Sequence, residues 1–172
     1  MNEKIKEITY NTQGVNGIIY HKDKIIVGYQ SSPTLFVVYN MDFTIHSYFE
    51  IREVSNLHSF CALNDKLLTV ASGFDEIVQI ELDNNFNLKS FSTYWKHPEN
   101  NKKQNNYHIN FICEYKNEIY ISCFGHKPFI KGGEAKNKGK IINIITSEVV
   151  VENLSHPHTV HVIDNKLVYC ES

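Results

Sequence analysis

No apolar run in this sequence is long. Runs such as Ile25–Val27 and Leu35–Val38 fall far short of the roughly 18 residues that a spanning helix needs, so no transmembrane helix is expected. The opening residues, Met1-Asn2-Glu3-Lys4-Ile5-Lys6-Glu7, are too charged for a signal peptide. No C-x-x-C pair occurs among Cys61, Cys113, Cys123 and Cys170, which removes the usual redox and zinc signatures. These absences predict a soluble cytoplasmic protein with reduced thiols. Charge of one sign is also missing: 17 Lys and Arg stand against 19 Asp and Glu, a net of −2. No global basic field recruits nucleic acid or an anionic membrane. Helix signals are scarce as well, because no window of about 11 residues combines a 3.6-residue period with caps.

What is present reads as strand. Lys24–Tyr29 and Thr34–Tyr39 are short β-branched and aromatic runs bounded by Asp, Asn, Ser or Pro. At 172 residues the chain is long enough for one domain with a sizeable core. The expected class is all-β.

Repeats set the architecture. Four segments align without gaps, starting at Asn16, His58, Asn110 and His158, which are 42, 52 and 48 residues apart. Each is a strand, a polar turn and an apolar strand, with the turns at Lys22-Asp23, Asn64-Asp65, Lys116-Asn117 and Asp164-Asn165. Asn and Asp suit such turns because they tolerate left-handed backbone angles. Two further strands follow in each of the first three repeats: Thr34–Tyr39 and Thr44–Glu50, Glu76–Leu82 and Leu88–Tyr94, Lys140–Ile145 and Glu148–Glu152. Four antiparallel strands recurring every 40–50 residues or so are the signature of β-propeller blades. The blades fall at about residues 14–54, 55–96 and 107–154, with a partial one over 155–172, or about three and a half blades in a single propeller-like domain.

The ring does not close on this count. Lys4–Tyr10 is a candidate to donate a strand to the last blade. The alternatives are a truncated propeller, or two chains sharing one ring as a homodimer through exposed blade edges. The stretches Lys96–Asn106 and Gly125–Lys138 read as polar, solvated connections. Lysines 131, 136, 138 and 140 interleave with Gly132, Gly133 and Gly139 but lack the order of a phosphate-binding loop.

Chemistry concentrates at the start of each repeat. Gly14, Asn56, His108 and His156 share one position, and Asn16, His58, Asn110 and His158 share the position two residues on. Spacing of two places both on one face of a strand. If these strands are innermost, the set clusters at one end of the central channel. Asn16, Asn56, His58, His108, Asn110, His156 and His158 are therefore the candidate ligand-binding residues. The competing reading is structural, with the same side chains bonding backbone and locking blade to blade. His108, His156 and His158 are the candidate ligands for a divalent metal, for which neutral imidazole is a common donor. No other cofactor is expected.

His21, His46, His97 and His126 read as isolated surface or loop residues. Cys61 and Cys113 share a repeat position with Ile19 and His161, a mixture that argues packing. No catalytic residue is assigned, because no thiol or carboxylate can be paired with a base.

The second half resembles an uncharacterised bacterial family of propeller-like proteins with C-H-L-N-G, P-H-S-P-R, D-G-[KR]-L and D-S-G elements. The matches are His108-Ile109-Asn110, the strand Gly139–Ile144, Ser155-His156-Pro157-His158-Thr159, Asn165-Lys166-Leu167 and Glu171-Ser172, over residues 107–172. Tyr107 stands where the family has Cys, Phe111 where it has Gly, and Val160-His161 where it has Pro-Arg. The resemblance implies a propeller, no established activity, and a blade that continues past the D-S-G element. Two functions follow as expectations. The first is a binding or scaffold module without catalysis, recognising a small molecule, sugar or protein. The alternative is a metal-assisted hydrolase or lactonase using the channel His/Asn set.

Overall fold

The computed structural model describes residues 12–100, 104–126 and 136–172. The segment Lys4–Tyr10, Lys131, Gly132 and Gly133 lie outside the described residues. Three four-stranded antiparallel sheets and one hairpin follow each other along the chain. The first sheet is β1 (Val15–His21), β2 (Lys24–Tyr29), β3 (Thr34–Tyr39) and β4 (Ile45–Ile51). The second is β5 (Leu57–Leu63), β6 (Lys66–Ala71), β7 (Glu76–Leu82) and β8 (Leu88–Lys96). The third is β9 (Ile109–Tyr115), β10 (Glu118–Cys123), β11 (Gly139–Asn143) and β12 (Glu148–Leu154). The hairpin is β13 (His158–Ile163) with β14 (Lys166–Cys170). Within each sheet every strand pairs with its sequence neighbour.

The first turn of every repeat has the geometry its residues favour. Lys22 and Asp23, Asn64 and Asp65, Lys116 and Asn117, Asp164 and Asn165 all have positive φ, between 47° and 64°. Two successive positive-φ residues define the type I′ hairpin, whose twist matches that of the flanking strands.

The core is three separate inter-sheet seams. Phe36, Val38 and Phe49 of blade one pack on Leu57, Phe60 and Ile80 of blade two. Leu68, Val70 and Ile77 of blade two pack on Ile112, Ile119 and Ile121 of blade three. Tyr120, Ile141 and Leu154 of blade three pack on Val160 of the last hairpin. A middle blade is covered on both faces, so its inner strands are apolar at successive positions. Leu67 and Leu68 are neighbours in sequence but belong to different seams, as a period of two requires. Outer strands β8 and β12 are mostly exposed, and β8 is correspondingly rich in Lys, Ser and Thr.

The innermost strands pack in series: β1 on β5, β5 on β9, β9 on β13. They form one arc around a channel, with exposed Ile18 and Tyr20 on β1 and exposed Ile163 on β13. Among the described residues no helix is long and apolar enough to cross a membrane.

Candidate functional site

The repeat-start residues lead into the innermost strands, but not by simple strand alternation. Gly14, Asn56, His108 and His156 have φ of 137°, 52°, 51° and 45°. Each is a left-handed kink leading into an innermost strand rather than a strand residue. Gly, Asn and His fill it because they reach positive φ more readily than most residues. The carbonyls of Gly14, Asn56 and His108 accept from the amides of Gln30, Ser72 and Phe124 respectively. The expectation that both members of each pair share one strand face fails at this kink. A further irregularity between His158 and His161, with Thr159 at φ 54°, breaks the alternation in β13 as well.

The second member of each pair reaches toward the next blade. Asn16 donates from Nδ2 to the Leu57 carbonyl at 3.0 Å, and Asn110 donates to the Pro157 carbonyl at 2.9 Å. Leu57 and Pro157 follow the kink residues of their blades, so the two contacts are equivalent. Asn110 Oδ1 in turn accepts the Ser122 hydroxyl at 2.6 Å. Asn16 also donates to Gln30 Oε1 at 2.9 Å, and Gln30 passes the chain on to Asn56 Oδ1. These amides, Asn110 buried and the others half-buried, bond across from one blade to the next and act as joints.

Histidine fills the second position in blades two and four, and there the geometry differs. His58 meets His108 edge-on, with ring centroids 5.0 Å apart. His108 packs on Phe124 at 4.7 Å, and His156 and His158 each meet that same phenyl ring edge-on at 5.0 Å. Three imidazoles from two repeats thus meet one phenyl ring, and His58 of blade two joins them through His108. Burial lowers the pKa of His58 below its ordinary value, with His158 adding repulsion. Burial and the neighbouring His156 do the same for His158. Both are neutral at pH 7, each presenting one donor and one acceptor nitrogen. His108 Nδ1 lies 3.1 Å from Asn105 Nδ2 and 3.4 Å from the Ser72 hydroxyl. Among the described residues no three His, Cys, Asp or Glu side chains are grouped so as to hold a metal ion.

A cavity of about 310 Å3 lies between the innermost strands, beside Asn16 and His58. Asn16, His58, Cys61, Cys113, Glu114 and His161 line it, together with apolar side chains such as Phe60 and Phe111. Burial pushes the Cys61 and Cys113 thiols up to about 12. They are protonated packing groups at neutral pH rather than nucleophiles.

Sequence reasoning missed a second cluster. His97, read from the sequence as an isolated loop residue, is buried and stacks on Tyr107, with centroids 3.5 Å apart and planes 14° apart. Trp95 meets His97 edge-on at 5.9 Å, and His126 meets Tyr107 at 5.3 Å. His21 is buried too. The connection after β8 is held by Asp75. Its Oδ2 accepts the backbone amides of Asn106 at 2.6 Å and Tyr107 at 2.9 Å, and the Asn100 side chain at 2.9 Å. A signal was available in the run His97, Tyr107, His126 flanking an otherwise polar loop.

Burial lowers His97 to about 4, outweighing the attraction of Glu99. The sign follows from proton linkage: the unfolded chain binds this proton from about pH 6.5 down and the folded chain does not until about pH 4. The associated stability is present above pH 6.5 and is lost as pH falls toward 4. His97→Phe keeps the stack and removes the titration. Some solvent contact discounts its worth to about 1 kcal/mol, so the melting temperature at pH 5 should rise by about 2–4 °C. At pH 8 it should not rise. Melting curves of both proteins across this range check it, and parallel curves would contradict it.

No protein-family model matches the sequence, and no curated protein does. Solved structures do match in fold. The streptogramin B lyase structure aligns over 93% of this chain and 49% of its own, with TM-score 0.60 and 13% identity. The Dos1 propeller aligns over 80% of this chain and 35% of its own, with TM-score 0.51 and 14% identity. The computationally designed Ika4 protein aligns over 91% of this chain and 84% of its own, with TM-score 0.51 and 10% identity. The chain thus spans about a third of the Dos1 structure and about half of the lyase. At these identities the likeness is one of fold. The protein is a β-propeller protein, with all-β blades of four antiparallel strands.

Proposed function

We propose that this propeller is a non-catalytic binding module that takes a small uncharged, hydroxyl-rich ligand, a sugar by chemical class, at the channel mouth. The observation that supports it most is the packing of His108, His156 and His158 on the Phe124 ring, with His58 joined edge-on to His108 and itself lining the cavity between the innermost strands. The neutral imidazoles of His58 and His158 offer paired donors and acceptors without attracting ions, and the aromatic faces suit the apolar side of a sugar ring. The amide chain from Asn16 through Gln30 to Asn56 holds further polar groups beside the mouth. Asn16 and Asn110 act in this reading as blade joints that hold the histidines in place. The resemblance to the bacterial propeller-like family fits the same reading, since the elements around His108 and His156 would then build a shared mouth.

The test is calorimetric titration with a panel of neutral mono- and disaccharides beside their phosphorylated forms. A neutral sugar should bind, and a His58→Ala/His158→Ala double variant should weaken it by at least about 10-fold. Binding should also weaken as pH falls below the ordinary histidine value of 6.5 and His58 and His158 take up protons. Binding of the phosphorylated sugars alone, or full affinity in the double variant, would overturn the proposal.

A further inference from the structure

A second cavity lies away from the channel, between the outer parts of blades two and three. It measures about 190 Å3, and Trp95, His97, Glu99, Tyr107, Lys140 and Val149 are among its walls. Trp95 comes from β8, Lys140 from β11 and Val149 from β12. Glu99 and Tyr107 belong to the connection that Asp75 pins. The cavity is thus fixed by blade strands and by a loop with buried anchors, not by a free surface loop.

Two opposite charges face this cavity without meeting. Glu99 accepts the Tyr107 hydroxyl, and that bond chiefly lowers its pKa, so the carboxylate is ionised. Lys140 is within electrostatic reach of Glu99. Yet among the described residues neither side chain forms an ion pair. His97, beside them, is neutral at pH 7 and adds no third charge. A ligand with a single charge gains at one of these groups and loses at the other. A zwitterion gains at both. The indole and aliphatic walls favour an apolar body. The volume, below the roughly 300–1,000 Å3 of drug-sized sites, limits that body to a single small unit.

We infer that this cavity binds a small zwitterion with an apolar body, a free amino acid by chemical class, with its ammonium on Glu99, its carboxylate on Lys140 and its side chain against Trp95. The site is separate from the channel mouth and does not depend on it.

Trp95 is the single tryptophan of the chain, so its fluorescence reads this cavity alone. The experiment titrates the protein with L-phenylalanine, phenethylamine and 3-phenylpropionate and follows that signal. L-Phenylalanine should give a saturable change. Each analogue, lacking one charge, should bind at least about 10-fold more weakly, the loss expected for one charge-assisted hydrogen bond. Glu99→Gln should weaken L-phenylalanine by a similar factor without weakening 3-phenylpropionate. Lys140→Met should weaken L-phenylalanine without weakening phenethylamine. His58→Ala should change nothing here, which separates this site from the channel mouth. No saturable change up to about 10 mM, a weaker limit than millimolar affinity requires, would overturn the inference. So would equal binding of all three compounds, and this comparison needs only the unaltered protein.

Discussion

Asp75→Ala should cost about 3–5 kcal/mol and lower the melting temperature by about 10 °C. The carboxylate is fully buried and accepts the amides of Asn106 and Tyr107 and the Asn100 side chain. Alanine leaves these buried donors without their acceptor, and each buried orphan costs about 1–3 kcal/mol. The damage should also be local. The loop carrying His97 and Tyr107 would lose its anchor, so hydrogen exchange should accelerate there first and the Trp95 fluorescence should shift. Asp75→Asn keeps one acceptor oxygen and should cost about 1–2 kcal/mol. It should also flatten one limb of the pH profile. Burial raises the Asp75 pKa, against the pull of the surrounding backbone amides. The pH-dependent part of its contribution is therefore fullest below the ordinary value of 3.8 and is lost as pH rises through the folded value, while the three hydrogen bonds remain. Chemical denaturation of the three proteins decides the matter. A loss under about 1 kcal/mol for Asp75→Ala would show that the loop is held by something else.

Gly139→Val should be nearly as costly, for a steric reason. A Cβ at Gly139 would sit 2.2 Å from Pro157 Cδ and 2.8 Å from the Leu154 carbonyl oxygen. Neither neighbour can swing away, since one is a rigid ring and the other is backbone. Overpacking of this kind costs about 3 kcal/mol. Pro157 also supplies the carbonyl that Asn110 bonds, so the clash breaks the joint between blade three and the hairpin β13–β14. The hairpin amides over residues 158–170 should lose exchange protection while β5–β7 keep theirs. Asn110→Ala should loosen the same joint without a clash, at about 1–3 kcal/mol. An unchanged melting temperature for Gly139→Val would mean that blade three and the hairpin do not meet as described.

This joint also brings together distant stretches of the second half of the chain. Asn110, Gly139 and Pro157 come from three separate stretches, yet they converge at Pro157. Their spacing records how one blade sits on the next. The elements around Ser155 and Ser172 also meet, since the Ser155 amide donates to Glu171 Oε2 at 2.7 Å.

Much of the fold was legible because local chemistry and repetition agreed. The Asn/Asp turns required positive φ and have it, and apolar residues at successive positions in β6 followed from burial of both faces. The repeat-start residues were legible as a recurring set but not in their backbone geometry. Counting by twos assumed a regular strand, whereas Asn56, His108 and His156 take left-handed angles just before it. The cluster of Trp95, His97 and Tyr107 was not legible by repetition at all. It rests on a connection unique to blades two and three, and on an aspartate whose burial depends on amides 31 and 32 residues further along the chain. Acidic residues in turns are usually solvated, and only the fold shows that this one is not.

The mouth histidines are proposed to form a binding surface for a neutral ligand. The most direct measurement is the set of imidazole carbon–proton resonances of the nine histidines by NMR, with and without the tightest-binding neutral sugar of the panel. The resonances of His58, His108, His156 and His158 should shift in a saturable way, while those of His21 and His46 stay in place. Saturable binding that leaves all four mouth histidines unmoved would contradict it.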